Sequence, residues 1–396
     1  MADTPVQTLI AAGIPLYLHG FSAIDAYLGR NSAAAVHLLC ATDLAGLARL
    51  FETLRYPGVA FADAAVDSNG KTWYFRCLDA DLRNYRSPSF RFLDFFQDCH
   101  TRRFYDPHDI YPLLRHMRDG IAHDEPVQWW KLSGAEHESR YALIDGAMIL
   151  ARYFPETGSK TIRVMAAECN GQNSGGRPSL PGMEEQRLLL IGLLDGANPA
   201  AGFELLKNSG FIAAHWPELA ELDDVDHAKE FHPEGNVWKH TMETLRYRKS
   251  SGSGFDVRLS LGLLLHDLGK PLSESAGRGQ GRRRFDGHAE LGERLARRFL
   301  ERLGFDTTLI GDVCYLVRNH MLPAALPRLP LVRTGGIMES PLFPLLLELY
   351  RCDESSSFKG LDGYYQSSAA YKAYLKYRRN PYRQADGKKL RREERK

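Results

Sequence analysis

Long apolar runs are what this sequence most clearly lacks. No stretch approaches the roughly 20 consecutive apolar residues that a helix needs to cross a bilayer, so no membrane-spanning helix is expected. The opening MADTPVQTLIAAGIPLYLHG has no basic cluster ahead of an apolar segment, so no secretory leader is read. Cysteine is scarce, six in 396 residues, and Cys40, Cys77, Cys99, Cys169, Cys314 and Cys352 form no CxxC pair. That scatter excludes a disulfide framework or a cysteine-based zinc knuckle, and is expected of reduced thiols in a soluble, cytoplasmic protein. Charge of one sign is missing too: 51 basic residues stand against 49 acidic ones, so the net charge of +2 steers nothing by itself. Internal repeats are absent. What remains is ordinary globular sequence, 44% hydrophobic and 25% charged. That argues against disorder, and the length allows roughly two to four domains.

The chain changes character along its length. Residues 1–140 read as mixed α/β. IPLYLHG and AAVHLLCA are strand candidates, DLAGLARLFETLR has helical spacing, and VAFADAAVDSNGKTWYFRCLD reads as a β-hairpin. Its arms would hold Val59, Phe61, Trp73, Phe75 and Cys77, with Asn69-Gly70 at the turn. From about residue 140 the strand signals disappear, and RYALIDGAMILARYF, EEQRLLLIGLLDG and AAGFELLKNSGFIAAHWPELAEL are amphipathic helices with Gly, Asn and Pro stops. The expected architecture is an α+β head (1–140), an all-α neck and body (141–222) with a Gly/Ser/Pro-rich loop near 170–182, an all-α domain (223–378) and a basic tail (379–396). The tail reads either as a solvated end or as an electrostatic arm for RNA phosphates.

Within the rear helices, LSLGLLLHDLGKP runs an apolar helix into His266-Asp267 and stops at Gly269 and Pro271. Polar groups at the edge of so apolar a run must be paired or must bind something. His240 opens another helix in HPEGNVWKHTMETL, and Asp353 ends an apolar one in LLLELYRCDESS. Two imidazoles and two carboxylates make a mixed N/O shell for a divalent ion: Mn, Fe, Zn, Ni, Co or Mg. His288 and His320 are candidates for a second ion or a phosphate contact. Lys270 and the Arg282–Arg284 run, Arg284 included, are candidates for neutralising phosphate charge, the arginine run reading equally as a solvated loop.

These residues resemble a known family. The pattern H…HD…D with HDLGKP is the signature of HD-domain metal-dependent phosphohydrolases. HPEGNVWKHT, LLLHDLGKP, RFDGHAELGERLA and VRNH are similar, in order and spacing, to HD domains attached to bacterial CCA-adding enzymes. The resemblance implies that His240, His266, Asp267 and Asp353 hold the primary metal and that Lys270 contacts phosphate or fixes Asp267. It further implies that His288 and His320 support a second ion. It spans residues 15–365 and is strongest over 187–325.

The front half resembles the head of tRNA nucleotidyltransferases and poly(A) polymerases of that class, with departures. GFSAIDAYLGRNSAAAVHLLCAT keeps Gly20, Asp25, Leu28, Gly29, Arg30 and Thr42 of the family's GGxVRDxLLGR…DxD…T pattern, but Phe21 and Ile24 replace a glycine and an arginine. The DxD carboxylates fall on His37 and Leu39, and of the later EDxxR element Asp145 stays while Met148 replaces the arginine. Mg²⁺ prefers oxygen ligands, so this head is expected to keep its fold without transferring nucleotides.

Three functions follow as expectations. The first is a metal-dependent phosphohydrolase acting on a phosphomonoester or 2′,3′-cyclic phosphate of a nucleotide or RNA end, tRNA among the candidates. The second is a working CCA-adding or poly(A)-adding transferase with carboxylates from elsewhere, such as Asp43 or Asp63. The third is an RNA-binding scaffold in which both centres are vestigial.

Overall fold

The computed structural model describes residues 4–30, 35–59, 62–69, 71–78, 94–119, 139–154, 157–171, 182–226, 235–249, 255–273, 275–276, 283–357 and 360–379. The chain divides into two compact units, residues 1–215 with 250–255, and residues 216–249 with 256–396.

The first unit opens with a six-stranded mixed sheet. Helix α1 (Pro5–Ala11) leads to β1 (Leu16–His19), α2 (Phe21–Tyr27), β2 (Ala35–Cys40), α3 (Leu44–Leu50), β3 (Ala64–Ser68), β4 (Lys71–Cys77), β5 (Phe96–Asp98), β6 (Phe104–Tyr105) and α4 (Tyr111–Arg118). The strand order is β3-β4-β2-β1-β5-β6, with β2 and β4 parallel and the other ladders antiparallel. Alternation decides the faces. Val36, Leu38 and Cys40 of β2 pack with Leu9 of α1 and Leu47 of α3, while Leu39 packs with Phe96 on the opposite face.

The expected hairpin forms, in a different register. Its first arm is Ala64–Ser68 and not the segment around Val59, because the two-residue turn after Ser68 pairs Ser68 with Lys71, Val66 with Trp73 and Ala64 with Phe75. Asn69 takes the left-handed backbone such a turn requires (φ 54°). Val59 is buried ahead of the strand; Phe61 and Gly70 lie outside the described residues.

Helices α5 (Ser139–Tyr153), α6 (Ser159–Gly171), α7 (Met183–Leu194), α8 (Pro199–Asn208) and α9 (Phe211–His215) complete this unit. Gly202 permits α8 to approach α5, since a methyl there would meet the Ala147 carbonyl and the Leu193 side chain. Most of the 170–182 loop lies outside the described residues.

The second unit comprises α10 (Pro217–Ala220), a 3₁₀ turn (Glu221–Asp224), α11 (Val237–Arg246), α12 (Val257–Leu265), α13 (Lys270–Ser273), α14 (His288–Arg302), α15 (Thr307–Asn319), α16 (Leu322–Ala325), α17 (Leu331–Met338), α18 (Phe343–Ser355) and α19 (Asp362–Arg379). It is not wholly helical. Between α13 and α14 the chain doubles back, and Ser275–Ala276 pairs with Arg283–Arg284 in a short antiparallel ladder. Side-chain caps fix where the site helices begin: Asn236 accepts from Lys239 N, Asp256 from Arg258 N and Leu259 N, and Asp306 from Leu309 N. Helix α12 runs through the core with Leu259, Leu261, Leu263, Leu264 and Leu265 buried, so its C-terminal end delivers His266 and Asp267 to a fixed place. The basic tail beyond residue 379 lies outside the described residues.

Candidate metal centre

Each site side chain sits at the end of a rigid element. His240 lies in the first turns of α11, His266 and Asp267 follow α12, His288 opens α14, His320 follows α15 and Asp353 lies in the last turn of α18. His240, His266, Asp267 and His320 are at most 2% exposed; His288 is buried as well, and Asp353 keeps a quarter of its side chain open.

Glycine brings two of these ends together. A methyl on Gly269 would collide with the His288 carbonyl and come within 2.6 Å of Gly292 N, and one on Gly292 would come within 3.3 Å of Gly269 N. The glycine after His266-Asp267 thus lets the first turn of α14 close on the end of α12. His288 Nε2 then lies 3.7 Å from Asp267 Oδ1.

The imidazoles are aimed by their outer nitrogens. Nδ1 of His266, His288 and His320 faces the carbonyl of Leu263, Phe285 and Val317 at 2.8, 2.7 and 2.7 Å. A carbonyl only accepts, so each Nδ1 carries the proton, and in the neutral ring Nε2 presents a bare lone pair inward. His240 is fixed differently. Ser356 Oγ donates to the Asp353 carbonyl at 2.7 Å and therefore accepts from His240 Nδ1 at 3.2 Å.

The inner atoms then crowd acceptor against acceptor. His288 Nε2 and His320 Nε2 are 3.1 Å apart, His240 Nε2 is 3.0 Å from Asp353 Oδ1, and His266 Nε2 is 3.1 Å from Asp267 Oδ2. The buried His266 Nε2 makes no hydrogen bond. An orphaned buried nitrogen and facing lone pairs are what a cation reconciles, so these residues fit a divalent ion.

Asp267 joins two groups. One ligand atom each from His240, His266 and Asp267 lie within 4.8 Å of one another, and the same holds for Asp267, His288 and His320. Asp267 Oδ2 faces His266 and His240, at 3.9 Å from the latter, while Oδ1 faces His288 and His320, at 3.9 Å from the latter. Neither group includes Asp353, which stands against His240. Lys270 Nζ donates to Asp267 Oδ2 at 2.6 Å, holding that carboxylate. Arg284 lies in the short ladder, but its side chain is outside the described residues, as is Arg282.

Electrostatics favour ligand forms at neutral pH. Burial alone would raise the Asp267 carboxyl, but His266, Lys270 and His240 outweigh it and hold it well below the ordinary range. Burial would raise Asp353 as well, but the His240 ring standing against it outweighs that and holds it low. Burial, with His266 adding to it, pushes His320 down to about 4, and burial lowers His288 too. The centre opens into a cleft of about 410 Å³ whose walls include Lys270, Phe285, Met321, Tyr350 and Glu354.

The sequence reading missed several contributors. Ser356 orients His240; its signal was only a serine three residues beyond Asp353. Tyr350 donates to Glu354 Oε1 at 2.5 Å and Tyr364 N donates to Glu354 Oε2 at 2.6 Å, stitching α18 to the start of α19 beside the cleft. Gly292 carries no signal of its own.

The front unit places its family-pattern residues together as well. His37 is buried on β2 with its ring stacked on Tyr74 (centroids 5.2 Å), and Leu39 is buried. Phe21, His37, Met148 and Arg152 border a void of only about 20 Å³. Asp25 is bound by Arg152 at 3.0 Å and by the Tyr153 hydroxyl at 2.9 Å. Asp43 caps α3 through Gly46 N, and Asp63 accepts from Arg76 Nη1 and Cys77 N.

Comparison with known proteins matches residues 217–351 to the HD domain family; that span holds His240, His266, Asp267, His288 and His320, and Asp353 lies just beyond it. Among curated proteins, the chain is 34% identical over 143 residues to a CC-adding tRNA nucleotidyltransferase of Thermus thermophilus, covering 36% of this chain and 32% of that one. It is 31% identical over 172 residues to an A-adding tRNA nucleotidyltransferase of Deinococcus radiodurans, covering 43% and 38%. It is 32% identical over 208 residues to a multifunctional CCA protein of Halorhodospira halophila, covering 52% and 45%. The chain thus spans less than half the length of each of these relatives. Among solved structures, a CCA-adding enzyme with ATP (12% identity, TM-score 0.39, covering 95% of this chain and 81% of that one) and a tRNA-processing enzyme (13%, 0.40, covering 94% and 95%) are similar. Those likenesses are too slight to bear on site or activity. Among the described residues no helix is long and apolar enough to cross a membrane.

Proposed function

We propose that this chain is a metal-dependent phosphohydrolase whose HD domain acts on a phosphomonoester or 2′,3′-cyclic phosphate of a nucleotide or RNA end. The observation that carries this reading is the pair of His/Asp groups sharing Asp267, with His266 Nε2 buried and unbonded. In it His240, His266, Asp267 and Asp353 hold a first divalent ion, and His288 and His320 with Asp267 hold a second. A bound divalent ion polarises a phosphoryl oxygen and lowers the pKa of water toward about 7. The chain's own residues do the rest. Lys270 keeps Asp267 ionised and oriented, the backbone carbonyls of Leu263, Phe285 and Val317 keep the imidazole protons outside, and the cleft walls bound the substrate. In the head, β2 carries His37 and Leu39 where the transferase pattern has carboxylates, and Asp43 and Asp63 are already engaged by α3 and β4.

A second reading is nucleotidyl transfer to tRNA with an accessory HD domain. The curated relatives favour it: all three cited are named as tRNA nucleotidyltransferases or CCA proteins, and the comparisons support it more widely than they support hydrolysis. One experiment separates the two. Purified protein is incubated with tRNA and labelled CTP or ATP, and in parallel with phosphomonoester and cyclic-phosphate substrates plus divalent metal. The first reading expects no incorporation, and hydrolysis that Asp267→Ala abolishes. Incorporation that survives Asp267→Ala, without hydrolysis, would establish the second.

A further inference from the structure

Scattered as they are in sequence, two cysteines meet in the head. Cys40 closes β2 and Cys77 closes β4, and the parallel register of those strands makes them direct partners. Both face the apolar cluster under α1 and α3, and the Cys40 thiol donates to the Arg76 carbonyl, next to Cys77, at 3.4 Å. Cys40 is fully buried, whereas Cys77 is partly open. Neighbouring strands run about 4.8 Å apart, inside the roughly 4.4–6.8 Å range of Cα separations that a disulfide bridges.

We propose that Cys40 and Cys77 form an oxidative modification site, which hydrogen peroxide converts to a reversible disulfide across β2 and β4. Cys77, the accessible thiol, reacts first: its thiolate sulfur bonds to one peroxide oxygen, the O–O bond breaks, and the other oxygen leaves as water after taking a proton. The resulting sulfenic acid is then resolved by Cys40. Its sulfur gives up a proton and bonds to the Cys77 sulfur, the S–O bond breaks, and hydroxide departs with that proton as water. Two thiols lose two electrons in all, and one peroxide becomes two waters. The division of labour fits the surroundings. Cys40 beside it holds the Cys77 thiol below its ordinary value, while Cys77 and burial push Cys40 up. Cys99, Cys314 and Cys352 are buried, and none of them is register-paired with another cysteine among the described residues. This site depends on neither reading of the HD domain.

The test is peptide mass spectrometry of the full chain, treated with hydrogen peroxide while folded, alkylated and then digested. The expected product is one linked species containing Cys40 and Cys77, lighter by two hydrogen atoms than the two reduced peptides. It reverts with dithiothreitol and is lost in Cys77→Ser and in Cys40→Ser. Cys77→Ser alters the partly open position, so it serves even if the buried Cys40→Ser fails to fold. Both thiols still alkylatable after peroxide, Cys77 carried to its sulfinic acid with no link, or a link from Cys77 to another cysteine would each overturn the proposal.

Discussion

Ser356 is the residue on which the orientation of His240 turns. Its hydroxyl has one proton, spent on the Asp353 carbonyl, so it can only accept from His240 Nδ1. Replacing it by alanine removes the acceptor that fixes the tautomer of that imidazole, and outer partners of this kind are worth about 10–100-fold in metal affinity. Calorimetric titration of Mn²⁺ should show such a loss in Ser356→Ala with the fold retained; an unchanged affinity would remove Ser356 from the site. The histidines also make the metal-free protein sensitive to acid. His320 titrates near 4 when folded against its ordinary 6.5, so between those values the unfolded chain binds the extra proton. Stability should therefore fall as pH drops from 6.5 to 4, by on the order of 3 kcal/mol. His288 shifts in the same direction, while the lowered carboxyls of Asp267 and Asp353 lose their contribution only below their ordinary 3.8. Urea unfolding in chelator across that range measures it, and a flat profile would contradict the buried neutral imidazoles. At this scale the sequence marked His240, His266, Asp267, His288 and His320 as candidate ligands, and the fold brings them together. It could not show Ser356, Tyr350 or Glu354, whose roles exist only once α11 and α18, or α18 and α19, are side by side.

At the scale of elements, the chemistry is set by where helices stop. Helix α12 begins at the Asp256 cap and ends as Gly269 meets the first turn of α14. Gly269→Ala should separate Asp267 from His288 and cost both metal binding and several degrees of melting temperature. Full metal affinity in that variant would show that the close approach is dispensable. Losing the cap in Asp256→Ala should cost about 1 kcal/mol without altering metal affinity, measured by denaturant unfolding and titration together. Periodicity made α12 and α18 readable, and the two-residue turn made the β3–β4 hairpin readable. The hairpin's register was not: Val59 and Phe61 looked as good an arm as Ala64 and Val66, and turn length, not hydrophobicity, decided between them. The ladder between α13 and α14 was equally illegible, being two residues on each side.

For the whole molecule, the two units differ in what their cores bring together. The rear unit brings its candidate ligands from five helices, whereas in the front unit Phe21, His37 and Met148 border a void of about 20 Å³ beside β2. The order of motifs was legible because each is short and local. The pairing of Cys40 with Cys77 was not, because only the parallel crossover from β2 to β4 brings them together. The measurement that bears most directly on the central claim is the metal content of the purified full chain, by inductively coupled plasma mass spectrometry, for wild type and Asp267→Ala. The account predicts one to two divalent ions per wild-type chain and near-complete loss in the variant, because Asp267 belongs to both ligand groups. Wild-type protein that holds no stoichiometric ion after incubation with Mn²⁺, Fe²⁺, Ni²⁺, Co²⁺, Zn²⁺ and Mg²⁺, or a variant that holds as much as wild type, would contradict it.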